Sequence, residues 1–532
     1  MAGCNSISLK LSNAFNRCFF IVFTCLFIIT GIGGAVSAGV FGELGNEYPM
    51  PVYITVLRVA ALLLSFVLIT FLILKACEAL QSGRAQKLDD RRFNTRFILI
   101  AVAIFLAIQL FCALCLQMKP ISDIDRLDTY AAKIVTDNSF DCLDSDFNGH
   151  YIIRYQNNLP LLLLYTLIYK LTYMICGDFS RIPIIIINTA AINAAVLLTV
   201  LTSRRIFGCR KAVLTLVICV LFTPYYTYTP YFYTDSFSLP LLAGAVYMFT
   251  CACQSQKRIN AVLLLAACGA LCFIGFEIKA SVIILLIALM IYLPLKCGIK
   301  KALKSAAVIL TSFAVLFCSY SLIIKNANLI SEESSEKYQF PPAHWVMMGL
   351  KDFGAFNWDD SDFSMSFESK TERQNAAVEE IGKRISEKGF FGMIAHTGKK
   401  AVWTYMDGTY YIANYLEHYE HKTPLHEIVL YDGKFRFPFF VYSFGYQLFL
   451  IFMMGYSALS ACRKKELSLT TLFRIAVFGM FIFFLIWETN ARYPFNFTPL
   501  YILLATEGAC AFSKTPGSRK IFAKKPHKKR GK

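Results

Sequence analysis

Asp123, Asp125 and Asp128 stand within six residues of one another, just beyond an apolar run that closes near Gln117. Ionised carboxylates at the mouth of a membrane helix are costly unless a partner or a function holds them. In a helix beginning after Pro120, Asp125 and Asp128 share a face. Asp123 then sits near the N-terminus, where the helix dipole favours its charge. A carboxylate so placed can act as a general base on an acceptor hydroxyl or amine. On spacing alone, helix capping in a solvated loop accounts for the same residues equally well.

Other groups could share that chemistry. Arg492 lies between two apolar runs, with Glu488 four residues earlier. Arginine keeps its charge and can grip phosphate with two parallel N–H groups; Glu488 would steady the guanidinium, or the two form a structural pair. Lys279 opens an apolar run beside Glu277, which suits a phosphate contact, a local ion pair or a side chain snorkelling to the headgroups. Asp235 follows an aromatic run from Tyr225 to Tyr233, either an interfacial belt or flat faces for sugar rings. His344 follows Pro341 and Pro342 in a long polar segment. It has no His/Asp cluster around it at ligand spacing, so no metal is predicted. Asp359, Asp360 and Asp362 read as a solvated turn. No GxxxxGK[ST] string and no GxGxxG after a strand is present, which argues against a nucleotide-sugar donor.

The elements that must position these groups are membrane helices. Of 532 residues, 56% are hydrophobic and 17% charged, and long apolar runs recur along most of the chain. A soluble protein is excluded. The run near Cys18–Val40 is too long for a signal-peptide core and reads as a retained helix. The net charge of +18 follows the positive-inside rule rather than nucleic-acid binding, and the basic residues from Lys514 to Lys532 suit anionic lipid headgroups. The 18 cysteines lie mostly singly in apolar runs, with no disulfide or zinc framework. Basic loops (Lys75 to Arg96, Arg204 to Lys211, Lys257 and Arg258, Lys296 to Lys304, Arg463 to Lys465) fix one side. Spans then fall near 17–40, 52–76, 96–117, 182–202, 211–226, 237–253, 259–275, 279–296, 304–325, 439–461, 470–487 and 494–512, with both ends cytoplasmic. The apolar segment 159–174 breaks this parity. It is expected to be re-entrant or a buried half-helix beside a cavity, the rival being a thirteenth span. The expected fold is an all-α polytopic membrane protein with about 12–13 transmembrane helices. All the acidic and aromatic motifs then converge on one membrane face, as expected of a single site. Residues 372–400 have helical periodicity and suit a helix lying over that face as a lid.

Pro120, Ser122 and Asp123, then Tyr130, then Tyr151, Arg154, Tyr155, Asn157, Asn158 and Leu159 resemble the first outer loop of GT-C type membrane glycosyltransferases. The likeness is to the bacterial branch related to protein O-mannosyltransferases and the aminoarabinose transferase of lipid A. Tyr233 to Pro240, His344 to Leu350, Trp403 to Thr409, and Glu488 with Arg492 and Tyr493 extend it over roughly 96–512. Pro160, where glycine is usual, and Gln156, where proline is common, depart from the pattern. The resemblance implies a polyprenyl-phosphate sugar donor, an extracytoplasmic acceptor in the cell envelope, and Asp123 as catalytic acid residue, with Asp125 and Asp235 next in rank. It implies Arg492, Lys279 and Glu488 at the donor phosphate, and Tyr233, Asn157, Asn158, His344 and Tyr493 around the substrate. No cofactor is assigned; a divalent cation stays open, with His344 as its candidate ligand. The expected organisation is a two-helix addition with a basic loop (1–95), a core (96–325), an extracytoplasmic region (326–438), C-terminal spans (439–512) and a basic tail (513–532). Two other readings fit a polytopic chain: a transporter or lipid flippase, which would show mid-membrane charges and an internal repeat, and an envelope polymerase or ligase.

Overall fold

The computed structural model describes residues 6–41, 50–462 and 467–515. Arg463, Lys464, Lys465 and the tail from Arg519 to Arg530, counted above as basic anchors, lie outside them. In lipid every backbone N–H and C=O must be satisfied within the segment, so apolar runs become helices. They are α1 (Ser6–Phe41), α2 (Val52–Gln81), α3 (Arg91–Cys115), α4 (Ser122–Asp137), α5 (Leu159–Cys176), α6 (Ile182–Phe207), α7 (Cys209–Val220), α8 (Leu239–Gln254), α9 (Arg258–Ile278), α10 (Ile283–Cys297) and α11 (Ile299–Ala327). After them come α12 (Pro342–Met348), α13 (Trp358–Met365), α14 (Lys370–Met406), α15 (Arg436–Cys462), α16 (Leu469–Ile486) and α17 (Thr498–Phe512). Pro160, Pro183, Pro240 and Pro499 all fall in first turns, where a missing N–H costs nothing. Pro160 therefore starts α5 rather than breaking it.

Eleven helices among the described residues are long and apolar enough to cross a membrane, α5 included, α7 and α17 not. Polar contacts tie the helices together at the two ends of the bundle. At the basic end, Arg210 forks onto Asp89 (2.9 and 3.0 Å from Nε), Arg204 donates to Thr95 (2.8 Å) and Gln254 to the Arg205 carbonyl (2.9 Å). At the other end, Asn158 joins the first turn of α4 through Tyr151. Tyr169 bonds Asp128 at 2.5 Å, and Arg181, just before α6, approaches Asp128 at 3.7 Å. The start of α5 and its Tyr169 thus both lie against α4. Helix α5 is one unbroken helix, long and apolar enough to span, rather than the broken re-entrant segment expected. Its outward face (Leu167, Leu171, Met174, Ile175) is apolar and exposed. Helix α7 stops at Val220, and the aromatic stretch to Phe237 fills the remaining depth as short turns.

The 328–435 region folds over the same end. Its backbone docks on the segment after α16: the Glu488 N–H donates to the Trp345 carbonyl (2.9 Å) and the Thr489 N–H to the Gly354 carbonyl (2.7 Å). Asp360 does not lie in a solvated turn, as the sequence suggests. It is 2% exposed and takes a two-pronged bond from Arg384 (2.7 and 2.8 Å) that locks α13 to α14. The helix expected over 372–400 runs from Lys370 to Met406 but is interrupted at Gly389 (φ 59°, ψ −175°).

Candidate functional site

Asp123 is the second residue of α4, and Ser122 before it holds φ 50°, a left-handed turn that swings the chain into the helix. The strain of an L-residue there is roughly 1–2 kcal/mol. Ser122→Gly is therefore expected to leave the site intact and raise thermal stability slightly, whereas Ser122→Val lowers it; melting curves in lipid check both. One oxygen of Asp123 accepts from the Tyr151 hydroxyl (2.8 Å). Asn158 donates to that hydroxyl oxygen (2.7 Å) and accepts from the Tyr233 hydroxyl (3.1 Å). Burial and the neighbouring carboxylate push the Tyr151 phenol well above its usual range, so it remains a donor.

The other oxygen of Asp123 accepts from Arg492 at 3.2 Å. The same guanidinium reaches Asp235 at 3.3 Å and donates to the Tyr231 hydroxyl. The rings of Tyr233, Tyr493 and Tyr415 surround it, at 4.9, 5.3 and 5.5 Å. Its Nε has no partner among the described residues. Behind it, the Lys279 ammonium holds the second oxygen of Asp235 and stands 4.8 Å from the Tyr493 ring. Burial pushes Lys279 downward while Asp235 pulls it up. The charges therefore alternate: Lys279, Asp235, Arg492, Asp123. Such a row is tolerable in a low-dielectric interior because each charge meets its opposite. Asp235 is fully buried and spent on two cations, while the Asp123 side chain is 34% exposed. The open carboxylate is Asp123.

Two local pairings expected from sequence are replaced. Lys279 binds Asp235 rather than Glu277. Glu488 makes no ion pair with Arg492 among the described residues; both its oxygens accept from the Tyr493 hydroxyl (3.0 and 2.9 Å). Near neighbours in sequence lose because the chain turns after α9 and α16, presenting Asp235 and Asp123 instead. Burial raises the Glu488 carboxyl to about 7. The folded state then holds this proton more tightly than the unfolded chain, so the Glu488 contribution falls as pH rises from about 4.5 to about 7 and is flat above. Glu488→Gln is expected to remove that slope and to stabilise the protein at pH 8 by about 3 kcal/mol; melting temperatures at pH 5 and pH 8 test it.

The remaining residues divide. Asn158, Tyr233 and Tyr493 join the cluster. Asn157 is exposed. The Asp125 side chain has no hydrogen bond or ion pair among the described residues, and Asp128 is turned to Tyr169 and Arg181. His344 is fully buried, bonded to Ser364 (2.7 Å) and stacked on Phe340 (4.1 Å); burial lowers its imidazole to about 4. Among the described residues no three His, Cys, Asp or Glu side chains could hold a metal ion. The Arg492 guanidinium stands where an ion bridging Asp123 and Asp235 would sit, so the donor set does not fit a divalent cation. Sequence reasoning passed over Tyr151 and Tyr231 as site residues although both lie in motifs it singled out. Tyr415 carries no local signal; neither does Lys400, which is fully buried with its ammonium on the Gly349 carbonyl (2.7 Å).

A bundle of apolar helices with a buried, charge-alternating cluster opening at one end defines a multi-pass integral membrane protein. The chain belongs to a family of conserved hypothetical integral membrane proteins, which it matches over residues 11–510. Among solved structures it is similar to ArnT from Cupriavidus metallidurans bound to undecaprenyl phosphate, at 13% identity over 80% of each chain with a TM-score of 0.32. No curated protein matches it.

Proposed function

We propose that the protein is a membrane glycosyltransferase of GT-C type that moves a sugar from a polyprenyl-phosphate donor to an extracytoplasmic acceptor. The observation that carries the reading is the pairing of one solvent-accessible carboxylate, Asp123, with a buried arginine that Asp235 and Lys279 hold in place. Asp123, Tyr151 and Asn158, three of the first-loop residues that resemble this enzyme class, are gathered there. Asp123 takes the proton of the acceptor O–H or N–H, or orients it, as that atom attacks the anomeric carbon. The new bond forms as the bond from that carbon to the phosphate oxygen breaks. The electron pair leaves with polyprenyl phosphate, and the anomeric centre inverts. Arg492, whose Nε–H is buried without a partner among the described residues, supplies the positive charge that stabilises the departing phosphate as its charge grows.

The test is transfer by purified protein in lipid, supplied with radiolabelled undecaprenyl-phosphate sugars and a panel of envelope acceptors. Turnover by wild type and not by a folded Asp123→Asn variant supports the reading. Passage of substrate across the membrane with no covalent product would replace it with transport.

A further inference from the structure

The interruption at Gly389 divides α14 into two rods of different character. Backbone at φ 59° and ψ −175° is open essentially to glycine alone, so the break is built in. Before it, the exposed positions include Glu372, Asn375, Glu379, Lys383 and Glu387. After it, the exposed stripe runs Phe390 (75%), Phe391 (81%), Ile394 (56%), Ala395 and Gly398. No charged residue occurs between Lys388 and Lys399. A contiguous exposed apolar face flanked by lysines is not what water selects.

The opposite face of the second rod says what covers this stripe. It packs on helices that are themselves membrane spans. A Cβ added at Gly33 or Gly34 of α1 would stand 3.2 Å from Val402 or 2.4 Å from Met406. Tyr405 stacks on Phe481 (4.8 Å), donates to the Met480 carbonyl (3.0 Å) and meets Phe27 edge-on. The rod is continuous with the lipid-facing wall of the bundle.

We propose that residues 390–406 form a membrane-inserted rod whose Phe390, Phe391 and Ile394 face lies in the bilayer interface, with Gly389 marking where the polypeptide leaves water. The occupant of the stripe is lipid, and the proposal is independent of the transfer reading. The anchored rod carries Lys400 under Gly349, and Thr404 against Thr489 (3.0 Å), so the bilayer fixes the height of the segment that bears Glu488 and Arg492.

The experiment places p-benzoylphenylalanine at position 391 of the full chain in phosphatidylethanolamine/phosphatidylglycerol proteoliposomes and identifies photoadducts by mass spectrometry. Position 64 of α2 (Leu64, 59% exposed) serves as the lipid-facing reference and position 378 of the first rod (Val378, 53% exposed) as the aqueous one. Lipid adducts at 391 within about twofold of position 64, and at least tenfold above position 378, are expected. Absence of lipid adduct at 391 with a normal yield at 64 overturns the proposal. So does a predominant adduct to a second copy of the chain.

Discussion

Asp123→Asn is expected to cut sugar transfer by about a hundred- to ten-thousandfold, the usual worth of a positioned base, while leaving the protein folded. Asparagine has nearly the shape of aspartate and still offers an oxygen to Tyr151, but it cannot take a proton from the acceptor or neutralise Arg492. The pair it loses joins a partly exposed carboxylate to an arginine that keeps Asp235 and the Tyr231 hydroxyl, so its loss is expected to cost only about 1 kcal/mol. A normal melting temperature should therefore accompany the lost turnover. Asp125→Asn supplies the contrast: with no side-chain partner among the described residues, it should retain near-normal rates. Lost transfer in Asp125→Asn with full activity in Asp123→Asn would reassign the base. Equal rates in all three proteins would remove the base from the mechanism.

Arg492→Met should fail differently, through the fold as well as the chemistry. Asp235 would be left fully buried with Lys279 alone, and three tyrosine rings would lose the cation they surround. Breaking a buried pair by removing one partner costs about 3–5 kcal/mol, because the remaining charge stays desolvated. A large drop in melting temperature is expected, together with loss of transfer. Arg492→Lys separates the two effects. An ammonium keeps the charge but, with three N–H groups on one nitrogen, cannot serve Asp123, Asp235 and Tyr231 and still present a further N–H. It should recover most of the stability and little of the activity. Should Arg492→Lys restore turnover to near wild type, the bridging geometry would be irrelevant to catalysis and the arginine merely a counter-ion. Binding of undecaprenyl phosphate to the folded Lys variant, measured against wild type, reports directly on the phosphate role.

Much of the architecture is legible in the chain because bilayers impose a one-dimensional code. A run of twenty apolar residues in lipid has to be a helix. That code placed the helices, although segment 159–174 is one unbroken helix rather than the re-entrant segment expected. The convergence of Asp123, Asp235, Lys279 and Arg492 on one end follows from the same map. Short-range pairing was not legible. Glu277 beside Lys279, and Glu488 one helical turn before Arg492, look like natural partners, yet both cations turn to aspartates far away in sequence. Asp360, read as solvated, is clamped by Arg384 from another helix.

By itself the sequence determined a polytopic helical membrane protein and the acidic and arginine motifs that could do chemistry. Hydropathy and charge act residue by residue, so no folded neighbour is needed to read them. Only the tertiary structure decided which carboxylate is open and which is spent, that Tyr151 and Tyr231 complete the cluster, and that α14 changes character at Gly389. Burial and pairing are properties of the groups that surround a side chain, and those groups come from helices hundreds of residues apart.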